Sequence, residues 1–260
     1  MGQMIGKRTK LRTVLFSLIL ILIFITFTAE GGNDEFEQAK RQLKDGIRTY
    51  DEELLQEAKE VFIKLANKNP SDYAYAYYVA LTYLSLCDLK NFEITNSTVK
   101  TDKKRLKTKR ISMAKEGLNY ADRSIELNNN FSDSHRVKGA LFSNMISGMF
   151  SGIRYGGMAE DEINIALIIE PNNALAKIEV AREYIKKPGL LGGDVKKGIE
   201  ILEKILKDNP EIEKGYTYLG IAYEEIGERE KAMNIFKQLL NLNPGNLEAK
   251  FYLERFTTLQ

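Results

Sequence analysis

The chain has 260 residues, 43% of them hydrophobic and 28% charged, enough to bury a sizeable core in one or two domains. Its net charge of +2 is set by the N-terminal end, where Lys7, Arg8, Lys10 and Arg12 outweigh Glu30, so residues 32–260 carry a net −1 and show no global signature of nucleic-acid binding. Cys87 is the only cysteine, which excludes an internal disulfide and a thiolate metal site.

Behind the basic start lies Val14–Phe27, an apolar run interrupted only by Ser17 and Thr26 and followed by Glu30, Asp34 and Glu35. A basic flank, an apolar stretch and then acidic residues orient a chain with its N-terminus inside, so everything downstream is expected to be exported. Ala29-Glu30-Gly31 places small residues correctly for cleavage after Gly31, whereas Thr13–Ala29, at 17 residues, reaches the lower edge of a membrane span. Residues 1–31 therefore read as a signal peptide or as an N-terminal membrane anchor through residues 13–29. No cysteine follows the run, so lipid attachment of the lipoprotein kind is not expected. The rest of the chain is expected in the periplasm, or anchored and facing away from the cytoplasm.

From residue 32 onward the pattern is helical. A first pair of helices, 34–49 and 51–66, precedes Pro70. Further helix stops fall at Asn129, Pro171, Pro210 and Pro244, at intervals of 59, 42, 39 and 34 residues. Before each stop a helix carries small and apolar residues at one-turn spacing: Ala58 and Phe62, Gly117 and Ala121, Ala159, Ile163 and Ala166, Gly198 and Leu202. After the first four stops further helices are expected over Tyr73–Leu86, Ser132–Ile146, Ala174–Lys186 and Glu213–Ile226. The clearest stretch is Glu213–Asn246, with Tyr216, Leu219-Gly220, Tyr223, Ala232, Phe236, Leu239 and Pro244. Gly220 and Ala232 are small where two antiparallel helices cross, and the aromatic residues fill the space around the crossing. Gly227 ends the first helix and Pro244 stops the second.

These residues and their spacing resemble the tetratricopeptide repeat family, with Tyr216 in the place of the family's Trp. The resemblance implies an all-α fold, a right-handed superhelical solenoid of about five helical hairpins with a C-terminal capping helix. Its repeats would span residues 35–70, 71–129, 130–171, 172–210 and 211–246, with the cap at 247–258. Against the family period of 34 residues, the longer intervals imply insertions of 25, 8 and 5 residues between the two helices of successive hairpins. The family's first helices line a concave groove, and its groove positions map here onto an apolar strip bearing two arginines. Tyr77, Leu81, Arg136, Ile178, Arg182 and Ile221 are the candidate groove residues, suited to an extended peptide or an amphipathic helix with an acidic residue. The alternative is that the apolar members simply pack inside a tight superhelix. Ala140 follows Arg136 by one turn where carboxylate-clamp members carry Asn, so capture of a chain-terminal carboxylate is not expected.

The insertions define a second surface along one edge. Ser147–Gly157 and Lys187–Asp194 each end in paired glycines ahead of an expected helix, with Asp194 as an N-cap. Phe150, Ile153, Leu190 and Leu191 stand in these presumed loops, with Met149 beside them; either they fold back over the solenoid edge or they form a binding patch. Such Gly-Gly hairpins resemble a variant of the family found in exported bacterial proteins, and more loosely the periplasmic repeat proteins that accompany some solute transporters. The largest insertion carries seven basic residues in eleven over Lys100–Arg110 without an aromatic, so stacking on bases is not expected. It reads as the solvated start of a helix running to Leu127, or as a contact for anionic lipid or an acidic partner.

No catalytic constellation is present in the sequence. His135 is the only histidine, it takes the place of the repeat's Trp, and neither Gly-x-Ser-x-Gly nor a phosphate loop accompanies it. The chain is expected to be non-enzymatic, to need no cofactor or metal, to bind no nucleic acid, and to act as a protein- or peptide-binding scaffold or assembly adaptor. A small-ligand-binding component beside a solute transporter is the alternative.

Overall fold

The computed structural model describes residues 34–258. The expected segment 1–31 and its possible cleavage lie outside the described residues. Eleven α-helices follow one another among them, in consecutive antiparallel pairs. The first repeat is α1 (34–49) and α2 (Glu52–Lys68), the second α3 (Tyr73–Asn96) and α4 (Lys100–Leu127). The third is α5 (Ser132–Asn144) and α6 (Met149–Ile169), the fourth α7 (Ala174–Lys186) and α8 (Val195–Asp208). The fifth is α9 (Glu213–Glu225) and α10 (Arg229–Leu242), closed by the capping helix α11 (Leu247–Thr258). The all-α solenoid with a cap is thus the observed architecture. Asp51, Asp72, Asn173 and Asp194 cap helices by accepting from backbone N–H groups of the first turn. In the last repeat a Cβ on Gly220 would stand 2.5 Å from the ring of Phe236, which is itself stacked on Tyr252 at 4.6 Å. Only a hydrogen fits at that crossing.

Two expectations about the insertions are corrected. The helix expected over Tyr73–Leu86 runs on to Asn96, so the 25-residue insertion lengthens α3 and α4 to 24 and 28 residues, joined by residues 97–99, and its basic tract is the start of the helix to Leu127. The extra turns are held because Leu86 and Leu89 are buried and Lys90, 2% exposed, pairs with Glu52 at 2.7 Å and Glu93 at 2.6 Å. Arg110 donates to Asn91 Oδ1 and to the Ile146 carbonyl, both at 2.7 Å, and Lys109 reaches Glu52 at 3.0 Å, so these two basic residues tie the lengthened hairpin to the repeats on either side. Similarly, Gly156-Gly157 do not precede a helix but lie within α6. The Ser151 hydroxyl accepts from the Ser147 and Gly148 N–H groups at 2.9 Å, and Tyr155 stacks on Phe142 at 6.2 Å between ring centroids. These contacts start the helix at Met149 and carry it through both glycines. Gly192-Gly193 do form a turn. Gly192 has φ +88°, and a Cβ on Gly193 would meet the Lys187 carbonyl oxygen at 1.8 Å.

The first helices form the inner wall, with α3 against α5, α5 against α7, and α7 against α9. Charged groups stitch this wall. Arg136 donates to Asp133 at 2.6 Å, and Asp133 also accepts from Tyr77 and Asn173, both at 3.2 Å. Glu179 pairs with Arg182 at 2.9 Å and Lys214 at 3.0 Å, and Lys214 reaches Asp88 at 3.3 Å. Burial works against the ionised form of Glu179, but Arg182, Lys214 and Arg136 outweigh it and bring its pKa down to about 2.

This packing has consequences for stability. Gly220→Leu lowers the free energy of unfolding by about 2–3 kcal/mol in urea titrations because Phe236 cannot yield, whereas Gly156→Ala, whose Cβ meets nothing within 4 Å, raises it by roughly 0.5–1 kcal/mol. Glu179→Gln costs about 3–5 kcal/mol, since it strands the buried Arg182 and leaves Lys214 only Asp88 as a partner. A carboxyl held below its ordinary 4.5 stabilises the fold above that pH and loses the contribution as pH falls towards 2. Acid titration of the variant therefore shows a shallower loss of stability in that window than wild type.

Candidate functional site

The inner wall does not present an open groove. The last residues of α1 and the turn after it meet α9 and the cap across the superhelix. Arg48 Nε donates to Glu213 Oε1 at 3.0 Å, and Asn243 Nδ2 donates both to the Arg48 carbonyl at 3.1 Å and to Glu213 Oε2 at 2.7 Å. The Tyr50 hydroxyl donates to Glu248, and Phe92 joins the two ends through Tyr50 at 4.9 Å and Phe251 at 6.0 Å. Tyr50 makes these contacts from φ +56°, a left-handed conformation more natural to glycine, as the turn into α2 requires. The two ends of the solenoid thus meet, and the concave side becomes a partly open cavity of about 550 Å³.

Of the candidate groove residues, Tyr77, Leu81, Arg136 and Ile221 line this cavity. Ile178 is fully buried and Arg182 is 4% exposed, both within the wall behind it. Neither guanidinium is free, because Arg136 is engaged by Asp133 and Arg182 by Glu179. The space is also lined by charged groups that are not among the candidates: Asp88, Lys186, Glu213, Lys214 and Glu248. Asp88 lies one turn beyond Leu84 and Lys186 one turn beyond Arg182, so extending the groove spacing by four residues would have found both. Glu248 stands on the cap, which the repeat pattern does not index. Lys186 ends α7 with its ammonium 5.7 Å from the centroid of the Tyr218 ring, reached by cavity solvent yet surrounded by protein. Burial, and then the nearby Arg182, bring its pKa down to about 8 against the opposing pull of Asp88, Glu248 and Glu179. Burial raises the Glu248 carboxyl above its ordinary range, the hydrogen bond from Tyr50 only partly offsetting it.

The edge residues stand apart from this cavity. Phe150 and Ile153 lie on the first turns of α6, 86% and 69% exposed, and not in a loop. Leu190 and Leu191 occupy the single 3₁₀ turn Gly189–Leu191, 101% and 59% exposed. They do not fold back over the edge. The Gly193 contact with Lys187 fixes a turn too tight for that, and the Ser151 cap fixes the start of α6. Lys187 pairs with Glu160 at 2.8 Å, tying this turn to the middle of α6.

The remaining titratable residues of interest are used in packing. His135 is buried, with Nδ1 2.7 Å from Glu162 and Nε2 3.2 Å from the Asn129 carbonyl. Cys87 is fully buried, and that burial pushes its thiol well up from the ordinary value. Among the described residues no group of three His, Cys, Asp or Glu is arranged to hold a metal ion, and no helix is long and apolar enough to cross a membrane.

A family model for the tetratricopeptide repeat matches residues 216–246. No curated protein matches the chain in sequence. Among solved structures, a thermophilic TPR protein of Thermus thermophilus superposes with a TM-score of 0.62 at 16% identity, covering 85% of this chain and 99% of that one. Human IFIT1, solved as a dimer with PPP-AAAA, superposes with a TM-score of 0.61 at 18% identity over 88% of this chain and 46% of that one. At these identities the likeness is one of fold. Residues 216–246 thus match a tetratricopeptide repeat, and the eleven helices packed in consecutive pairs among the described residues have the fold of a tetratricopeptide repeat solenoid.

Proposed function

We propose that this protein is a protein-binding scaffold or assembly adaptor of the cell envelope, and that it engages its partner through the outer edge of the solenoid. The observation that carries this reading is the exposure of Met149, Phe150, Ile153, Leu190 and Leu191 on a capped helix start and a glycine-fixed turn. Backbone devices hold these side chains out in water. Covering one such side chain contributes roughly 1.5–3 kcal/mol, which favours a partner with an apolar surface of its own. The inner wall is a poorer site for an extended peptide, because Arg136 and Arg182 are committed to buried pairs and the two ends of the solenoid meet across it. Export rests on the basic start and the apolar run Val14–Phe27, and the Gly-Gly turn at Gly192-Gly193 is in keeping with the exported variety of the family. The fold belongs to a class of non-catalytic scaffolds, in keeping with a binding role.

Crosslinking in the native envelope fraction tests both parts. Phe150→Ser combined with Leu190→Ser leaves the thermal midpoint unchanged and weakens partner capture by about tenfold or more. Undiminished capture sinks the edge reading. The intact mass of the recovered chain distinguishes loss of residues 1–31 from a retained anchor, and recovery of the full-length chain only from the cytosol overturns export.

A further inference from the structure

The partly open cavity on the concave side of the solenoid is independent of the outer edge and has the attributes of a ligand site. At about 550 Å³ it lies within the range of small-molecule pockets, and it is bounded by α1, α3, α5, α7, α9 and α11. Leu81, Leu84, Leu175 and Ile221 make much of its wall apolar. Its charged groups are nearly all spoken for. Arg136 is held by Asp133, Lys214 by Glu179 and Asp88, and Glu213 by Arg48, while Glu248 accepts from Tyr50. Lys186 is the exception. Among the described residues no carboxylate oxygen comes within 4.0 Å of its Nζ, and that ammonium faces the cavity beside Tyr218.

We propose that this cavity binds a small monoanion with an apolar body, an aliphatic or aromatic carboxylate, whose charged group pairs with Lys186 while its body lies against the leucines. A ligand carboxylate would give this ammonium a counterion at the wall of the cavity, while the ligand's chain removes apolar wall from water. Asp88 and Glu248 face the same space and set the limit on charge. A dianion or a polyphosphate would meet them both, so one negative charge is what the site accommodates.

Isothermal titration calorimetry of the full chain with octanoate, and with octanamide as the uncharged counterpart, tests the assignment. Octanoate binds with a stoichiometry of one. Lys186→Met, which keeps the stem and removes the charge, weakens octanoate by at least about tenfold while moving octanamide little. Its thermal midpoint stays close to wild type, since the ammonium removed is solvent-exposed and makes no ion pair among the described residues. Lys186→Arg keeps the charge and retains octanoate binding within a few fold. Phe150→Ser with Leu190→Ser leaves octanoate binding unchanged, which separates the cavity from the edge. Absence of saturable octanoate binding overturns the proposal, as does equal binding by Lys186→Met or loss of binding in the edge variant.

Discussion

The contact that gives this molecule its character is small: Arg48 and Tyr50 at the end of the first helix against Glu213, Asn243 and Glu248 near the end of the chain. In a repeat solenoid each unit ordinarily touches only its neighbours, and the concave side stays open to solvent. Here residues separated by 165 to 198 positions in sequence hydrogen-bond across the superhelix. That junction turns a groove into a cavity and places the first helices around an interior. It also explains why a strained Tyr50 stands where glycine would relax the backbone. Its side chain spans from Phe92 to Glu248, and no smaller residue would reach both.

The interior that results is more ionic than an ordinary helical core. Four successive first helices contribute Tyr77 and Asp88, Asp133 and Arg136, Glu179 and Arg182, and Lys214, almost all in direct contact with an opposite charge or a hydrogen-bond partner. Such pairs recover little net stability relative to a well-packed apolar wall, but mismatching them is costly, so they fix the register of each helix on the next. The outer layer follows the other rule. The second helices bury Ala58, Phe62, Ala121, Ile163, Leu202 and Phe236 and expose charge to solvent. Specificity of stacking and hydrophobic stabilisation are thereby divided between the two helices of each hairpin.

What can be read from the sequence follows the range of the interaction. Gly220, Ala232, Phe236 and Pro244 specify a hairpin through contacts within about thirty residues, so the last repeat and every helix stop are legible. The insertions are legible in length and place but not in conformation. Gly156-Gly157 have the composition of a turn, yet the cap at Ser151 and the stacking of Tyr155 on Phe142 override it. The repeat pattern ends the helix from Tyr73 at Leu86, whereas α3 runs on to Asn96, because the burial of Lys90 depends on Glu52 in a different repeat. The closure is not legible at all, since nothing local to Arg48 marks Glu213 or Asn243 as its partners. For that reason the groove candidates include Arg182, which lies behind the wall, and omit Lys186 and Glu248, which face the space.

The junction between the ends also changes how the chain holds itself together. An open array of hairpins behaves as a one-dimensional lattice whose terminal units, having one neighbour each, fray first and exchange their amide protons fastest. Joining Arg48 and Tyr50 to the cap gives the first hairpin a second neighbour and removes that boundary. Opening the ring then precedes fraying from either end, and amide protection in α1 and α11 becomes a single shared property of two segments at opposite ends of the chain.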